Sequence, residues 1–140
     1  MDRHEGGCLC GAIRYVAMGP MREIVFCHCS QCRKQTGLYV PATAVPKAAL
    51  DIAGDSLRWF AASGFAERGF CATCGTPLFW RMRAVGSDTA SISIMAGSLD
   101  DASDLVRGYH ICTEGRATFY AISDGLPQHA HDAPGVPING

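Results

Sequence analysis

The stretch CHCSQC, residues 27–32, places three cysteines within six positions of the chain. Cysteines at such short spacing can bind one ion with little loss of chain entropy. Thiolate also suits zinc better than the other common divalent ions. A structural zinc takes four protein ligands, whereas a catalytic zinc keeps one coordination position open. The stretch therefore predicts a metal site and leaves open whether a fourth ligand comes from elsewhere in the chain.

Four further cysteines form two pairs outside this stretch. The first pair is a C-x-C at residues 8–10, and the second is a C-x-x-C at residues 71–74 that is followed by Gly75. Seven clustered ligands divide into four and three, so the two pairs together would make one closed site. The predicted ligands of a structural zinc are Cys8, Cys10, Cys71 and Cys74. The predicted ligands of a second, open-site zinc with a catalytic role are Cys27, Cys29 and Cys32.

Other interpretations of the cysteines remain open at this point. The three-cysteine cluster could be closed by His28 or His110, could hold an iron–sulfur cluster, or could be metal-free thiols or a labile disulfide. The four-cysteine set could instead be a pair of redox dithiols. The eighth cysteine, Cys112, follows Ile111 in an alternating stretch, and we expect it to be buried and inert.

Polar residues around the three-cysteine cluster have two interpretations each. Arg33 and Lys34 could offset the negative charge of the cluster or bind a substrate carboxylate, although ordinary surface charge also explains them. His28 lies between two ligands, so its side chain should point away from the metal and act in support of the site. Gln35 and Thr36 could donate hydrogen bonds to a substrate or could stabilise a turn.

Aromatic residues and the remaining histidines fit structural roles. His129 and His131 lie in a polar segment and should be exposed to solvent. We expect four aromatic residues to lie in the core or in a pocket wall: Trp59, Phe70, Phe79 and Trp80.

Composition limits the class of protein. The chain has 140 residues, 48% of them hydrophobic, a formal net charge of −1 and eight cysteines. This size predicts one domain, and the charge gives no electrostatic case for a nucleic-acid or membrane partner. The N-terminal residues lack the apolar region of a secretory signal, and no apolar run approaches 18 residues. We therefore expect a cytoplasmic protein, in which cysteines serve metal binding or catalysis rather than disulfides.

Short stretches with β character, separated by glycines and prolines, run along the chain. The predicted strands are CGAIRYVA (10–17), GLYVPATAV (37–45), LDIAG (50–54), LRWFAA (57–62), PLFWRMR (77–83), ASISIMAG (90–97), YHICTE (109–114) and TFYAI (118–122). Alternation is clear at Ser91-Ile92-Ser93-Ile94, and the segment 108–121 predicts strand, turn and strand, with Gly115 in the turn and TFYAI (118–122) as the second strand. A single helical turn is expected from Ser30 to Gln35, ending at Gly37. The pattern favours a mainly β domain over residues 1–130, followed by an irregular tail over 131–140.

The three cysteine motifs resemble those of the glutathione-dependent formaldehyde-activating enzyme family, which includes the centromere protein V group. The matching stretches are GGCLCGAIRY (6–15), FCHCSQCRKQTG (26–37) and FCATCGTPLFW (70–80), with weaker matches at AGSLDD (96–101), YHICTEGRATFY (109–120) and DGLPQH (124–129). The resemblance implies a β-tent fold of small antiparallel sheets held by zinc, with the same division of cysteines into four and three. Cys112 and Tyr120 stand where many members carry an aliphatic residue and a tryptophan.

The founding activity of that family joins formaldehyde to glutathione and is classed in reverse as a carbon–sulfur lyase. We accordingly expect an S-hydroxymethylglutathione synthase-like enzyme with two zinc ions that acts on glutathione or on an adduct of a related small thiol. The alternatives are a zinc-stabilised, non-catalytic binding module and a thiol redox protein. Neither the electrophile nor the oligomeric state follows from the sequence.

Overall fold

A computed structural model of the chain describes residues 2–83 and 90–132. Within these ranges the chain forms ten β-strands and one short α-helix, joined by turns that include three short 3-10 helices. The predicted mainly β, single-domain fold is confirmed. The elements are β1 (Arg3–Gly7), β2 (Arg14–Met18), β3 (Ile24–Cys27), α1 (Ser30–Thr36), β4 (Val40–Pro46), β5 (Leu50–Ala53), β6 (Leu57–Phe60), β7 (Ala66–Cys71), β8 (Pro77–Met82), β9 (Ser91–Met95) and β10 (Arg107–Ile111).

The strands form two sheets. The smaller sheet has the order β1-β2-β5, and the larger has the order β10-β3-β4-β9-β8-β7-β6. All neighbouring pairs are antiparallel except β10 and β3, which run parallel. A bridge between Gly6 and Leu99 links the edge of the smaller sheet to the segment after β9. Five of the eight neighbouring pairs within the described ranges join strands that are consecutive in the chain. The parallel pair brings residues 107–112 beside the three-cysteine stretch.

Two buried clusters of side chains make up the core. The larger one surrounds Tyr15 and Phe79, whose rings meet edge to face with their centroids 5.4 Å apart. On β9 the burial alternates: Ile92 and Ile94 are buried and belong to this cluster, whereas Ser91 and Ser93 are half-buried. The smaller cluster includes Cys27, Cys32 and Ile111, so the three-cysteine site is built on its own patch of core.

The short helix begins and ends as the sequence predicts. Cys29 is its N-cap, and its sulfur accepts a hydrogen bond from the backbone N–H of Cys32 at 3.3 Å. Gly37 ends the helix in the left-handed region, with φ 87°, where a side chain would be strained. Thr36 donates its hydroxyl to the carbonyl of Cys32 at 2.8 Å, so it serves the helix rather than facing a substrate.

The expected hairpin near Gly115 is wrong in its second half. The first strand is present as β10, but Thr113–Gly115 is a 3-10 helix and TFYAI forms no strand. Three strands were missed among the described residues, namely β1, β3 and β7. Each of these strands is short and contains glycine, charged residues or cysteine. Such residues weaken the alternation of apolar and polar residues by which a strand is predicted from sequence.

The C-terminal segment docks without joining a named strand. The backbone N–H groups of His110, Cys112 and Thr113 donate to carbonyls within residues 127–131. The N–H of His129 in turn donates to the carbonyl of His110 at 3.0 Å. Residues 133–140 of the predicted tail lie outside the described residues, so the boundary at residue 130 stays a prediction. In the described part of the chain, no helix combines the length and apolar character needed to cross a membrane.

Candidate metal centres

The four sulfurs of the two cysteine pairs converge on one point. Their mutual distances are all within 4.8 Å, including 3.6 Å between Cys8 and Cys10 and 3.8 Å between Cys10 and Cys71. Four sulfurs at the corners of a tetrahedron around zinc would be about 3.8 Å apart. The donor set and its spacing therefore fit a closed metal site that joins the N-terminal loop to the turn after β7.

Local backbone groups support this cluster. The N–H of Ile13 donates to the sulfur of Cys8 at 3.2 Å, and the N–H of Cys74 donates to the sulfur of Cys71 at 3.5 Å. Gly75 has φ 81°, which allows the chain to turn immediately after the C-x-x-C motif. A metal ligand must be deprotonated, and an N–H donor directed at the sulfur is compatible with that state.

The three sulfurs of the CHCSQC stretch form a second group with mutual distances within 4.8 Å. Cys27 ends β3, Cys29 caps α1 and Cys32 lies in the first turn of that helix. Cys27 and Cys32 are buried, whereas Cys29 is half-buried. Hydrogen bonds from the other two thiols lower the pKa of Cys29 well below its ordinary value. Cys29 thus forms the outer side of the cluster, where a ligand from solvent could approach.

A buried arginine on β7 contacts this cluster and was missed in the sequence. Arg68 is only 4% exposed, and its two terminal nitrogens lie 3.6 and 3.7 Å from the sulfur of Cys32. One of them also donates to the side-chain oxygen of Gln35 at 2.9 Å. The residues proposed for this charge role point elsewhere: Arg33 donates to the carbonyl of Gly115, and Lys34 is exposed. No sequence signal marked Arg68, because β7 lacks the alternating pattern that would have identified it as a strand.

His28 is fully buried and heads a chain of hydrogen bonds directed away from the sulfurs. Its Nδ1 lies 2.7 Å from the hydroxyl of Tyr120, and its Nε2 lies 2.8 Å from Nδ1 of His110. The other nitrogen of His110 lies 2.9 Å from a carboxylate oxygen of Asp124. Burial, helped by His110 and Arg116, lowers the pKa of His28 to about 4. His28 therefore supports the cysteine loop as a neutral side chain, in agreement with its predicted orientation.

The same chain of contacts removes one alternative for the three-cysteine site. Both ring nitrogens of His28 and of His110 are engaged with other groups. Among the described residues, no histidine joins the three sulfurs within 4.8 Å. Neither histidine is therefore placed to close the three-cysteine site in this fold. Tyr120 and Asp124 were not assigned a role from sequence, because only the fold brings residues so distant along the chain against His28.

Cys112 does not lie within a strand, contrary to the prediction. It is the first residue after β10, is half-buried and has φ 56°. Its thiol hydrogen-bonds with that of Cys27 and lies 3.9 Å from a carboxylate oxygen of Asp132. The sulfur of Cys112 is nevertheless outside the group of three that lie within 4.8 Å of one another. It is thus a neighbour of the cluster rather than an isolated core residue.

The aromatic residues have the structural positions expected of them. Phe79 and Trp80 are buried, Trp59 lies under the guanidinium of Arg81, and Phe70 lines a cavity. The two C-terminal histidines differ from each other. His131 has an exposed side chain, as predicted, but His129 is half-buried with its ring edge to face against Tyr109.

Comparison with known proteins places this arrangement in a family. The profile of the glutathione-dependent formaldehyde-activating enzyme family matches residues 3–115, which includes both cysteine clusters. The chain belongs to this family. A similar protein is an uncharacterized lyase of Schizosaccharomyces pombe, 34% identical over 80 residues. That match covers 57% of this chain and 58% of the relative, so the chain spans just over half the length of the relative.

Proposed function

We propose that this chain is a zinc-dependent carbon–sulfur lyase-like enzyme that acts on adducts of glutathione or another small thiol. The observation that carries the proposal is the convergence of Cys27, Cys29 and Cys32 without a fourth ligand. In the described part of the chain, no other cysteine, histidine or carboxylate joins these three sulfurs within 4.8 Å. Family membership supports the lyase class, and the substrate is our inference.

The two clusters would have different roles. Cys8, Cys10, Cys71 and Cys74 would hold a structural zinc, because four thiolates complete its coordination. Cys27, Cys29 and Cys32 would hold the second zinc and leave one position for a substrate thiol. Zinc bound there would stabilise the thiolate form of that substrate and leave its sulfur nucleophilic.

The chemical step is simple and reversible. In the synthetic direction the thiol sulfur bonds to the carbonyl carbon of an aldehyde. The carbonyl π electrons move to oxygen, which receives the proton that the thiol gave up. In the lyase direction the carbon–sulfur bond breaks and the carbonyl re-forms.

Residues around the cluster would balance its charge and hold its loop in a fixed conformation. Three thiolates and one zinc dication leave one negative charge, and Arg68 is positioned to balance it through Cys32. The chain from His28 through His110 to Asp124 holds the loop between Cys27 and Cys29 in place. Neither group needs to exchange a proton with the substrate to fulfil this role.

The test combines metal content with exchange kinetics. We expect two zinc ions per chain by elemental analysis of protein purified without chelator. Two-dimensional exchange NMR should show that the protein accelerates interconversion of glutathione and its hydroxymethyl adduct, and that Cys29→Ser abolishes this while the chain stays folded. Two zinc ions with no acceleration for any aldehyde–thiol pair would leave a zinc-stabilised binding module as the better description.

Cys112→Ser is the matched control for Cys29→Ser, and it tests whether the second zinc has an open coordination position. The Cys112 sulfur contacts Cys27 but lies outside the group of three, so its removal should leave two zinc ions and the exchange activity in place. Loss of the second zinc in Cys112→Ser would show that Cys112 completes the site, and the open-site mechanism would be wrong.

A further inference from the structure

A cavity of about 460 Å³ lies between α1 and β7, beside the three-cysteine cluster. We refer to it as the α1–β7 cavity. Six of its lining residues matter here, and they are Lys34, Gln35, Phe60, Arg68, Phe70 and Pro77. Its volume is in the range of sites that hold a small organic molecule. Formaldehyde, with one carbon, would fill only a small part of it.

The charge of the cavity is positive. Lys34 and Arg68 both line it, and none of its described lining residues carries a carboxylate. The ion pairs among residues 2–83 and 90–132 do not include Lys34. The whole chain carries a formal charge of −1, so the positive charge is local to this cavity. An anionic group is the complement of such a lining.

Part of the cavity lining is apolar. Phe60 is 63% exposed although it is a large hydrophobic residue, and Phe70 and Pro77 continue the same surface. Covering exposed aromatic surface with an apolar group removes that surface from water and is favourable. The ligand should therefore carry a ring or a branched chain in addition to its negative charge.

The cavity reaches the metal-binding cluster through one side chain. Arg68 lines the cavity, and the same guanidinium lies 3.6 Å from the sulfur of Cys32. A ligand seated beside Arg68 is thus separated from the cluster by the width of one guanidinium group. Gln35 accepts from Arg68 at 2.9 Å and holds it at this boundary.

We propose that the α1–β7 cavity binds a small organic carboxylate with a bulky apolar group. The carboxylate pairs with Lys34 and the apolar group packs on Phe60 and Phe70. Taken with the proposed function, on which this step rests, the cavity holds the non-reacting part of the thiol adduct. The preferred adduct is then larger and more apolar than hydroxymethylglutathione.

Isothermal titration calorimetry on the zinc-loaded full chain tests the site directly. The probe is 4-phenylbutyrate, which has no thiol and so does not depend on an open metal position. Its matched controls are 4-phenylbutylamine, which reverses the charge, and butyrate, which lacks the ring. We expect 4-phenylbutyrate to bind at least about tenfold more tightly than either control, because it alone meets both walls.

Two variants and two controls assign the binding to this cavity. Lys34→Gln should weaken 4-phenylbutyrate by about fivefold, as expected for an exposed ion pair, and Phe60→Ser by about tenfold. Lys47→Gln and Phe119→Ser change an exposed lysine and an exposed phenylalanine outside the cavity lining, and they should leave the affinity unchanged.

The outcomes separate this proposal from the proposed function. Equal affinity for the three probes, or no weakening in Lys34→Gln and Phe60→Ser, would overturn the cavity assignment even if the exchange activity were present. Binding that follows the expected pattern would support the cavity even if the thiol-exchange measurement failed. In that case the cavity would be a ligand site of a binding module.

Discussion

Replacing Arg68 should weaken metal binding at one cluster and leave the other unchanged. Arg68→Met keeps a buried side chain of similar length but removes the guanidinium, whose two terminal nitrogens lie 3.6 and 3.7 Å from the Cys32 sulfur. A hydrogen bond to a charged group contributes about 1.5–3 kcal/mol. That range corresponds to a loss of about 10- to 100-fold in zinc affinity, which is also typical when a partner of a metal ligand is removed.

Competition titration with a chromophoric zinc chelator measures this effect. Wild-type protein should show two classes of site, and Arg68→Met should shift only the weaker one. The four-cysteine site is an internal control, since the contacts of Arg68 run to Cys32, Gln31 and Gln35 rather than to that site. Arg58→Met is the matched variant, because Arg58 is exposed on β6 and donates to the backbone carbonyls of Asp55 and Leu57.

The result depends on keeping the fold intact, so thermal unfolding of the zinc-saturated variants is measured in parallel. Arg68→Lys should recover part of the lost affinity because it restores the charge without the fork of two donors. Unchanged affinity of the weaker site in a folded Arg68→Met would refute the charge-balancing role. Parallel weakening of both sites would instead indicate a general loss of structure.

Three further changes test the division of roles in the fold. Cys74→Ser should abolish soluble folded protein, whereas Cys29→Ser should give a folded protein with one zinc fewer. Circular dichroism measures the folding of each variant, and elemental analysis measures its zinc content. The reverse pattern would refute the division of the cysteines into a structural group of four and an open group of three. Gly6→Ala should destabilise by about 2–4 kcal/mol in urea unfolding, because its Cβ would lie 2.4 Å from a backbone carbonyl and a tyrosine hydroxyl. Gly97→Ala, with no atom within 4 Å, is its control and should be near neutral. Tyr120→Phe should lower the free energy of unfolding by about 1 kcal/mol, because the hydrogen bond to the buried His28 is lost. The variant should keep both zinc ions, and release of zinc would contradict a purely supporting role for Tyr120.

The cation that contacts the three-cysteine cluster could not be identified from residues adjacent in sequence. Arg33 and Lys34 follow Cys32 directly, but a helix turns successive side chains through about 100° each, so they leave the sulfurs. Arg68 lies on β7, far along the chain, and reaches Cys32 only because the sheet and the helix pack together. Proximity in sequence therefore does not identify the cation that contacts Cys32.

The loop after β10 gives a second example. TFYAI has the residue types of a strand, but no neighbouring strand pairs with it, so it forms a turn instead. Tyr120 then reaches His28. Strand propensity describes how well a residue type fits the surface of a sheet. It does not ensure that a partner strand is available for pairing.

The sequence by itself determined the features that rest on short-range chemistry. These are the grouping of seven cysteines into four and three, the helical turn that ends at Gly37, and the mainly β character of the chain. Ligand count, backbone conformation and side-chain alternation act over a few residues and can be read directly. Only the tertiary structure decided which cation faces Cys32, how His28 is held, and that a positively charged cavity lies beside the cluster. Each of those depends on contacts between elements that are far apart in sequence, and their geometry follows from packing rather than from local preference.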